Sequence, residues 1–261
     1  MTEYFSEIWR LRYFWYSLVR TDLRKRYRRS VLGMGWSLLQ PIAMTIVLSV
    51  VFSQMWRQNL RDFAPYLLCG LTFWGLISAT VMHGCQCFLE GESYIRQHPA
   101  PLAIYPLRTV LGAGFHFLLG FSINLIFVWI LKGFGNLPAL VSLVPTFLLV
   151  FILVWSLAIC MGLVTVMFQD AQHLVEILMQ VLFYATPIII PPEAWEGRRL
   201  VSCVMHLNPL AAFLELIRDP LLKGQIPSLH AYGFAALTTL AIAGIAMLGM
   251  KRFEKNLIFY L

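Results

Sequence analysis

The sequence predicts an all-α integral membrane protein with six transmembrane helices. Hydrophobic residues make up 59% of the 261 residues and charged residues only 13%, about half of the charged fraction of ordinary soluble domains. A dense basic cluster stops at Ser30, and no charged residue follows until Arg57. A helix needs about 20 apolar residues to cross a bilayer. The apolar stretches that meet this length, or come close to it, are residues 34–55, 64–84, 107–131, 138–168, 173–190 and 231–250.

The N-terminal segment has the pattern of an amphipathic helix. Residues 2–27 place aromatic and aliphatic side chains at helical spacing, with arginines between them, which predicts a helix in the membrane interface. A soluble tail helix is the alternative. We therefore divide the chain into an interfacial segment, residues 1–30, and a transmembrane domain, residues 31–261. The residues expected to position the first span at the membrane boundary are Arg26, Arg28, Arg29 and Trp36.

Charge sets the expected orientation. Lys and Arg that flank a span favour the cytoplasm, so the basic N-terminus is expected inside, and six spans return the C-terminus to the same side. The net charge of +7 also raises the question of nucleic acid. The basic residues lie at the ends of spans, where anionic headgroups favour them. Membrane lipids, and not nucleic acid, are therefore the expected partners of this charge.

The polar break at residues 89–106 is cytoplasmic in this topology. A short helix is expected over residues 90–97, because the prolines that follow must end it. A short charged helix on a stiff loop suits contact with a soluble partner, and a plain connecting loop is the alternative. The candidate contact residues are Glu90, Glu92, Ser93, Tyr94, Arg96 and Gln97.

The polar break at residues 191–230 faces outside. Two short amphipathic helices are expected there, residues 193–206 with Trp195 and residues 209–222. Asn208 is the expected N-cap of the second helix and Pro209 its first residue. Two helices joined by a tight turn at the outer mouth of a bundle predict a lid; helices lying flat on the membrane are the alternative.

Aromatic side chains are frequent inside the spans. Ring faces stack on sugars, so some rings are candidates for the wall of a conduit, although lipid contact and helix packing also use such rings. The rings chosen as conduit candidates are Phe73, Trp74, Phe117, Phe121, Trp155, Phe183 and Tyr184.

The sequence lacks the motifs of several chemistries. It contains no phosphate-binding loop, no serine-hydrolase elbow and no zinc-protease motif. We therefore predict no catalytic residue, no metal site and no cofactor in this chain. Glu176 is the only acidic residue inside the six stretches, and ion-driven transporters bury more ionisable groups than this. The pattern favours an energy source outside the chain.

Three motifs carry a resemblance to a known family. They are Arg26-Tyr27-x-x-Ser30-x-Leu32-Gly33-x-x-Trp36-x-x-Leu39-x-Pro41, then Phe168-Gln169-Asp170 with Phe183-Tyr184-x-Thr186-Pro187-Ile188, and finally Asn208-Pro209. Together they resemble the membrane subunit of type-2 ABC transporters that export polysaccharides such as O-antigen, capsule and teichoic acid. Gln169 and the pair Arg96-Gln97 depart from the basic residues that are common in the family at these positions.

The resemblance implies a homodimer in the bacterial cytoplasmic (inner) membrane, with two ATP-binding-cassette ATPase subunits that hold ATP and Mg. It implies a lipid-linked polysaccharide as cargo, conduit rings that contact the glycan, and an outer loop that gates its exit. A type-2 exporter of lipids or drugs stays open as an alternative. So does a membrane-embedded glycosyl- or acyl-transferase that uses the acids of the outer loop, which are Glu193, Glu196, Glu215 and Asp219.

Overall fold

The computed structural model describes residues 2–30, 32–55, 59–97, 100–133, 136–191, 207–254 and 257–261. These residues form helices and turns, and no strand occurs within these ranges. The α-helices of this part of the chain are α1 (Thr2–Arg10), α2 (Arg12–Tyr27), α3 (Trp36–Met55), α4 (Leu60–Gln86), α5 (Glu92–Gln97), α6 (Ile104–Lys132), α7 (Leu137–Val141), α8 (Leu143–Met167), α9 (Ala171–Ala185), α10 (Pro209–Arg218) and α11 (Leu229–Phe253).

Five segments of the described residues are helical, long and apolar enough to cross a membrane. They are Gly33–Met55, Leu60–Gln86, Ile104–Lys132, Leu137–Met167 and Leu229–Phe253. The expected sixth span, residues 173–190, differs from the structure. Helix α9 has 15 residues and is therefore about 22 Å long, which is shorter than the roughly 30 Å of bilayer hydrocarbon.

A proline explains why α9 ends early. Pro187 disfavours helical geometry in the residue before it, and Thr186 is extended, with φ −103° and ψ 139°. Apolarity alone predicted a continuous span here, because Thr186 and Pro187 interrupt the helix without interrupting the apolar run. Helix α10 begins at Pro209, and Asn208 is its N-cap.

The buried side chains form two clusters. The larger one fills the space between α4, α6, α8 and α10, and its largest members include Phe73, Phe117, Phe121, Leu153 and Phe213. The smaller one joins the N-terminal helices to the neighbouring ends of the long helices, and it includes Ile8, Phe88, Ile95, Tyr105 and Met250. The second cluster attaches α1 and α5 to the bundle.

Contacts identify which helix ends lie together. Tyr4 of α1 donates a hydrogen bond to the Glu254 carboxylate after α11, at 2.9 Å, so the two terminal segments lie on the same side of the bundle. Burial raises the pKa of Tyr4, which keeps this hydroxyl protonated as a donor. On the opposite side, Lys132 at the end of α6 forms an ion pair with Asp62 of α4 at 2.8 Å.

Helices α4 and α8 pack closely at a glycine. A Cβ atom added at Gly84 would lie 2.9 Å from the Cα atom of Ala158. Gly84 and Ala158 both lie inside helices, so this contact can be relieved only by moving one helix relative to the other. The small side chains at these two positions therefore set the distance between α4 and α8.

We expect Gly84→Ala to destabilise the protein by about 1–3 kcal/mol, because the added methyl overpacks this contact. Gly75→Ala is the matched control on the same helix, since nothing lies within 4 Å of its added Cβ. Alanine favours helix over glycine by about 1 kcal/mol, so the control is expected to be neutral or stabilising. Unfolding in mixed detergent micelles measures both variants, and equal stability of the two would contradict the packing argument.

Candidate conduit groove, gate junction and coupling surface

A groove with both aromatic and polar walls lies between α4 and α9. We call it the α4–α9 groove, and its volume is about 490 Å³. Helix α4 presents one wall and α9 presents the other along three of its turns. The lining residues are Trp74, Ser78, Met82, Glu176, Met179, Gln180, Phe183 and Tyr184.

Three of the predicted conduit rings meet in this groove. Trp74 and Phe183 pack edge to face with their centroids 5.4 Å apart, and Phe183 contacts Tyr184 in the same way at 5.3 Å. The Tyr184 side chain is 71% exposed. The Gln180 amide and the Glu176 carboxylate share the groove with these rings. Ring faces beside hydrogen-bonding groups are the chemistry that a sugar requires, because a pyranose has both apolar faces and hydroxyl edges.

The other predicted conduit rings lie elsewhere. Phe73, Phe117 and Phe121 are buried, with exposed fractions of 0%, 7% and 8%, and they belong to the larger core cluster. Phe117 and Phe121 both pack against Phe147 of α8. Trp155 is half-buried, and its indole nitrogen donates to the Ala103 carbonyl at 3.2 Å. These four rings stabilise contacts between helices and do not line the α4–α9 groove.

The end of α9 and the start of α10 meet at a polar junction. The Asn208 amide donates to the Ala185 carbonyl at 3.1 Å and to the Thr186 hydroxyl at 2.9 Å. Its amide oxygen accepts a hydrogen bond from the backbone of Leu210 at 3.0 Å. One asparagine therefore caps the second helix and satisfies backbone freed by the first. The predicted residue Pro209 is the first residue of α10, whereas Trp195 and the expected helix at 193–206 lie outside the described residues.

A buried arginine completes this junction. Arg218, at the end of α10, is 6% exposed. It donates to the carbonyl oxygens of Pro187 at 2.6 Å, Ile188 at 3.0 Å and Tyr66 at 3.2 Å. Its guanidinium also stacks on the Tyr66 ring, 3.5 Å from the centroid. Carbonyl dipoles and a ring face thus surround the cation.

Tyr66 connects the same loop to α4. Its hydroxyl donates to the Pro187 carbonyl at 2.9 Å and to the Ile190 carbonyl at 3.3 Å. A backbone carbonyl without a hydrogen-bond donor is costly in an apolar environment. Pro187, Ile188 and Ile190 lie beyond the end of α9, so no further turn of α9 supplies donors for their carbonyls. Tyr66, Asn208 and Arg218 together supply the missing donors, and we call these three side chains the junction clamp.

The predicted coupling residues form a surface on the side of the bundle that holds the termini. Of the six residues, Glu90, Ser93, Tyr94, Arg96 and Gln97 are exposed and Glu92 is half-buried. The helix α5 is attached to the bundle by Ile95, which is 6% exposed. The Tyr94 ring also contacts Phe14 of α2 edge to face, at 6.0 Å between centroids. We call α5 with this contact to α2 the coupling surface.

The predicted boundary residues lie at a sharp turn between α2 and α3. Arg26, Arg28 and Arg29 are exposed, and Trp36 is 55% exposed at the first position of α3. Arg29 has a φ of +63°, a conformation that costs non-glycine residues energy. The Ser30 hydroxyl accepts a hydrogen bond from the Gly33 backbone at 3.1 Å, which closes the turn.

Sequence reasoning missed the role of Arg218 and the pairing of Asp22 with Arg108. Arg218 lies in the polar break at residues 191–230, where the sequence pattern predicts no buried charge. The available signal was helical spacing, because Leu214 and Leu221 lie four residues before and three residues after Arg218, which places the cation on the same helix face as two leucines. Arg108 forms a bidentate ion pair with Asp22 of α2, and no sequence pattern connects residues so far apart.

Known proteins resemble this chain along most of its length. The pattern of the ABC-2 type transporter membrane family matches residues 13–222. The O-antigen export system permease protein RfbA of Myxococcus xanthus is 26% identical over 224 residues, which cover 85% of each chain. RfbA of Klebsiella pneumoniae is 22% identical over 245 residues, covering 91% of this chain and 90% of its own. The polysialic acid transport protein KpsM of Escherichia coli is 21% identical over 242 residues, covering 88% of this chain and 90% of its own. Since the family pattern spans most of the chain, and the chain has several helices able to cross a membrane, this multi-pass membrane protein belongs to the ABC-2 type transporter membrane family.

Proposed function

We propose that this chain is the permease subunit of an ATP-driven exporter that moves a lipid-linked polysaccharide, of O-antigen, capsular or teichoic type, across the bacterial cytoplasmic membrane. The observation that carries this proposal is the α4–α9 groove, where Trp74, Phe183 and Tyr184 lie beside Glu176 and Gln180. Rings next to hydrogen-bonding groups suit a glycan. The names of the related RfbA and KpsM permeases agree with this class of cargo.

The proposed assembly is a homodimer with two ATPase subunits, which bind ATP and Mg. Helix α9 supports a second copy, because its exposed apolar residues recur at helical spacing as one stripe. They are Leu174, Ile177, Leu178 and Val181. The α4–α9 groove is open in a single chain, and most of its α9 residues lie more than about 100° around the helix from the centre of this stripe. In the proposed dimer the stripe would form the contact between the copies, and the two grooves would flank that contact.

The proposed topology has six crossings and places both termini in the cytoplasm. Five crossings are the long apolar segments. The sixth consists of α9 and α10 together, because α9 starts on the side of the termini and the turn after α10 ends near Lys132 on the opposite side. The Leu222 carbonyl accepts from the Lys132 ammonium there, at 3.4 Å. Six crossings agree with the hydrogen bond between Tyr4 and Glu254, which joins the two terminal segments.

In this mechanism the ATPase acts on the coupling surface. Ser93, Arg96 and Gln97 of α5 are exposed, as is Glu90 in the turn before it, while Ile95 fixes the helix to the bundle. A force on α5 would reach α2 through the contact of Tyr94 with Phe14. It would also reach the start of α6, since a Cβ atom on Gly91 would lie 2.6 Å from the Tyr105 ring. The junction clamp would then hold the break in the sixth crossing, where Asn208-Pro209 serves as the hinge of the outer gate.

Genetics in a producing host tests the cargo. The host gene for the chain is deleted, and surface polysaccharide and cytoplasmic lipid-linked polysaccharide are measured. We expect the surface polymer to disappear, the lipid-linked polymer to accumulate inside, and the full chain to restore export. Normal surface polymer in the deletion strain would reject the proposal in favour of a lipid or drug exporter.

The coupling surface makes a separate prediction. A cysteine introduced as Gln97→Cys is expected to crosslink to the partner ATPase with a short bifunctional maleimide in native membranes. Gln225→Cys is the matched control, because Gln225 is also exposed but lies after α10 on the opposite side of the bundle. Crosslinks from both positions, or only from Gln225→Cys, would contradict the proposed side of attachment.

A further inference from the structure

A second pocket lies between α2, the turn before α3, and α6. Its volume is about 390 Å³, within the range of small-ligand sites. The groove described above lies between other helices, so this pocket is separate from the conduit. Its lining includes Arg20, Leu23, Arg24, Tyr27, Met34 and Phe115.

The charge in this pocket is uncompensated. Asp22 is the only acidic residue in α2, and Arg108 already binds both of its oxygens. Arg20 and Arg24 are one turn apart on the same helix, both exposed, and neither forms an ion pair with any acid that the structure describes. Two guanidinium groups side by side without a carboxylate favour an anion with several acceptor oxygens.

The depth of the pocket identifies where that anion comes from. Helix α2 runs beside the first half of α6, because Asp22 pairs with Arg108 and the Tyr27 hydroxyl lies 3.1 Å from His116 Nδ1. These two α6 residues are about 12 Å apart along the helix. The pocket therefore begins at the polar end of a membrane-crossing helix and continues into its apolar part. That is the depth at which phospholipid headgroups join their acyl chains.

The pocket also has two kinds of wall. The guanidinium groups of Arg20 and Arg24 form one wall, and Leu23, Met34 and Phe115 form an apolar wall beside them. A free phosphate ion would use only the arginines. A phospholipid would use both walls, with its phosphate on the arginines and the start of its acyl chains on the apolar side chains.

We propose that this pocket binds the phosphate group of an anionic phospholipid from the leaflet that faces the termini. The bound lipid fills the space between α2, the start of α3 and α6. It thereby connects α2 to α3 and α6 at a position where the side chains that the structure describes leave an open space. This site is independent of the polysaccharide and of the direction of transport.

Native mass spectrometry of the full chain tests the proposal. The purified chain is titrated with dioleoyl phosphatidic acid, and phosphatidylcholine serves as the lipid without net charge. We expect Arg20→Gln/Arg24→Gln to bind phosphatidic acid about tenfold more weakly, because each basic residue strengthens binding to anionic lipid several-fold. Arg20→Lys/Arg24→Lys should retain most of the affinity.

The matched control is Arg10→Gln/Lys25→Gln, which removes the same charge from α1 and α2 outside the pocket and should leave affinity within twofold of the parent. Circular dichroism confirms that each variant is folded. Equal weakening by the control pair would reject the site, and so would displacement of the lipid by equimolar inorganic phosphate. Loss of ATPase binding by Arg20→Gln/Arg24→Gln with unchanged lipid affinity would assign the arginines to the protein partner instead.

Discussion

Arg218→Met is expected to lower the free energy of unfolding by about 3 kcal/mol or more, since a buried carbonyl without a donor costs roughly 1–3 kcal/mol. The substitution keeps most of the side-chain volume but removes every donor. Ile188 and Tyr66 then lose the guanidinium contacts at 3.0 and 3.2 Å, and Tyr66 also loses the stacked cation. The loop that follows α9 would then lack part of the junction clamp.

Unfolding of the full chain in mixed micelles, driven by a denaturing detergent, measures this loss. Lys223→Met is the matched control, because the Lys223 side chain, five residues further on, is 60% exposed and pairs with Asp219 at 2.8 Å. Surface ion pairs contribute about 0–1 kcal/mol. Arg218→Lys should be intermediate, since an ammonium keeps the charge without the planar fork. A control variant as unstable as Arg218→Met would show that the clamp has no special role.

Removing the ring pair of the α4–α9 groove is expected to reduce export about tenfold or more. Trp74→Ala and Phe183→Ala together remove two rings whose centroids are 5.4 Å apart. Each ring contact of this kind contributes about 0.5–1.5 kcal/mol, and 1.4 kcal/mol corresponds to a factor of ten. The rings lie on the groove wall, so a glycan in the groove would lose its stacking surface. Both rings also pack against the larger core cluster, so export has to be compared at equal amounts of folded chain.

Export is measured as surface polysaccharide per copy of the chain in the membrane, together with the amount of ATPase that co-purifies. Trp74→Phe should retain most of the export because a ring face remains. Phe259→Ala removes a ring that is 83% exposed near the C-terminus, far from the groove, and should export normally. Full export by the double variant would remove the groove from the conduit and leave its rings as packing groups.

The sequence by itself determined the class of the protein. Its low charge and long apolar stretches identify a helical membrane protein, and its motifs identify the ABC-2 type. Local chemistry also placed short features correctly. Asn208 and Pro209 begin a helix as their types require, and a short helix is present at Glu92–Gln97 before the prolines of its loop. These features depend on neighbours in the sequence, which the sequence displays directly.

The tertiary structure decided which residues share a site. Phe73 and Trp74 are adjacent in the sequence, yet Phe73 is buried in the core and Trp74 lines the groove, because successive helical residues point about 100° apart. Apolar composition predicted a continuous span at 173–190, whereas the break at Pro187 is stabilised by Arg218 and Tyr66 from distant parts of the chain. Tertiary packing brings such partners together. The order of residues along the chain does not specify how close two residues lie when they are far apart in sequence.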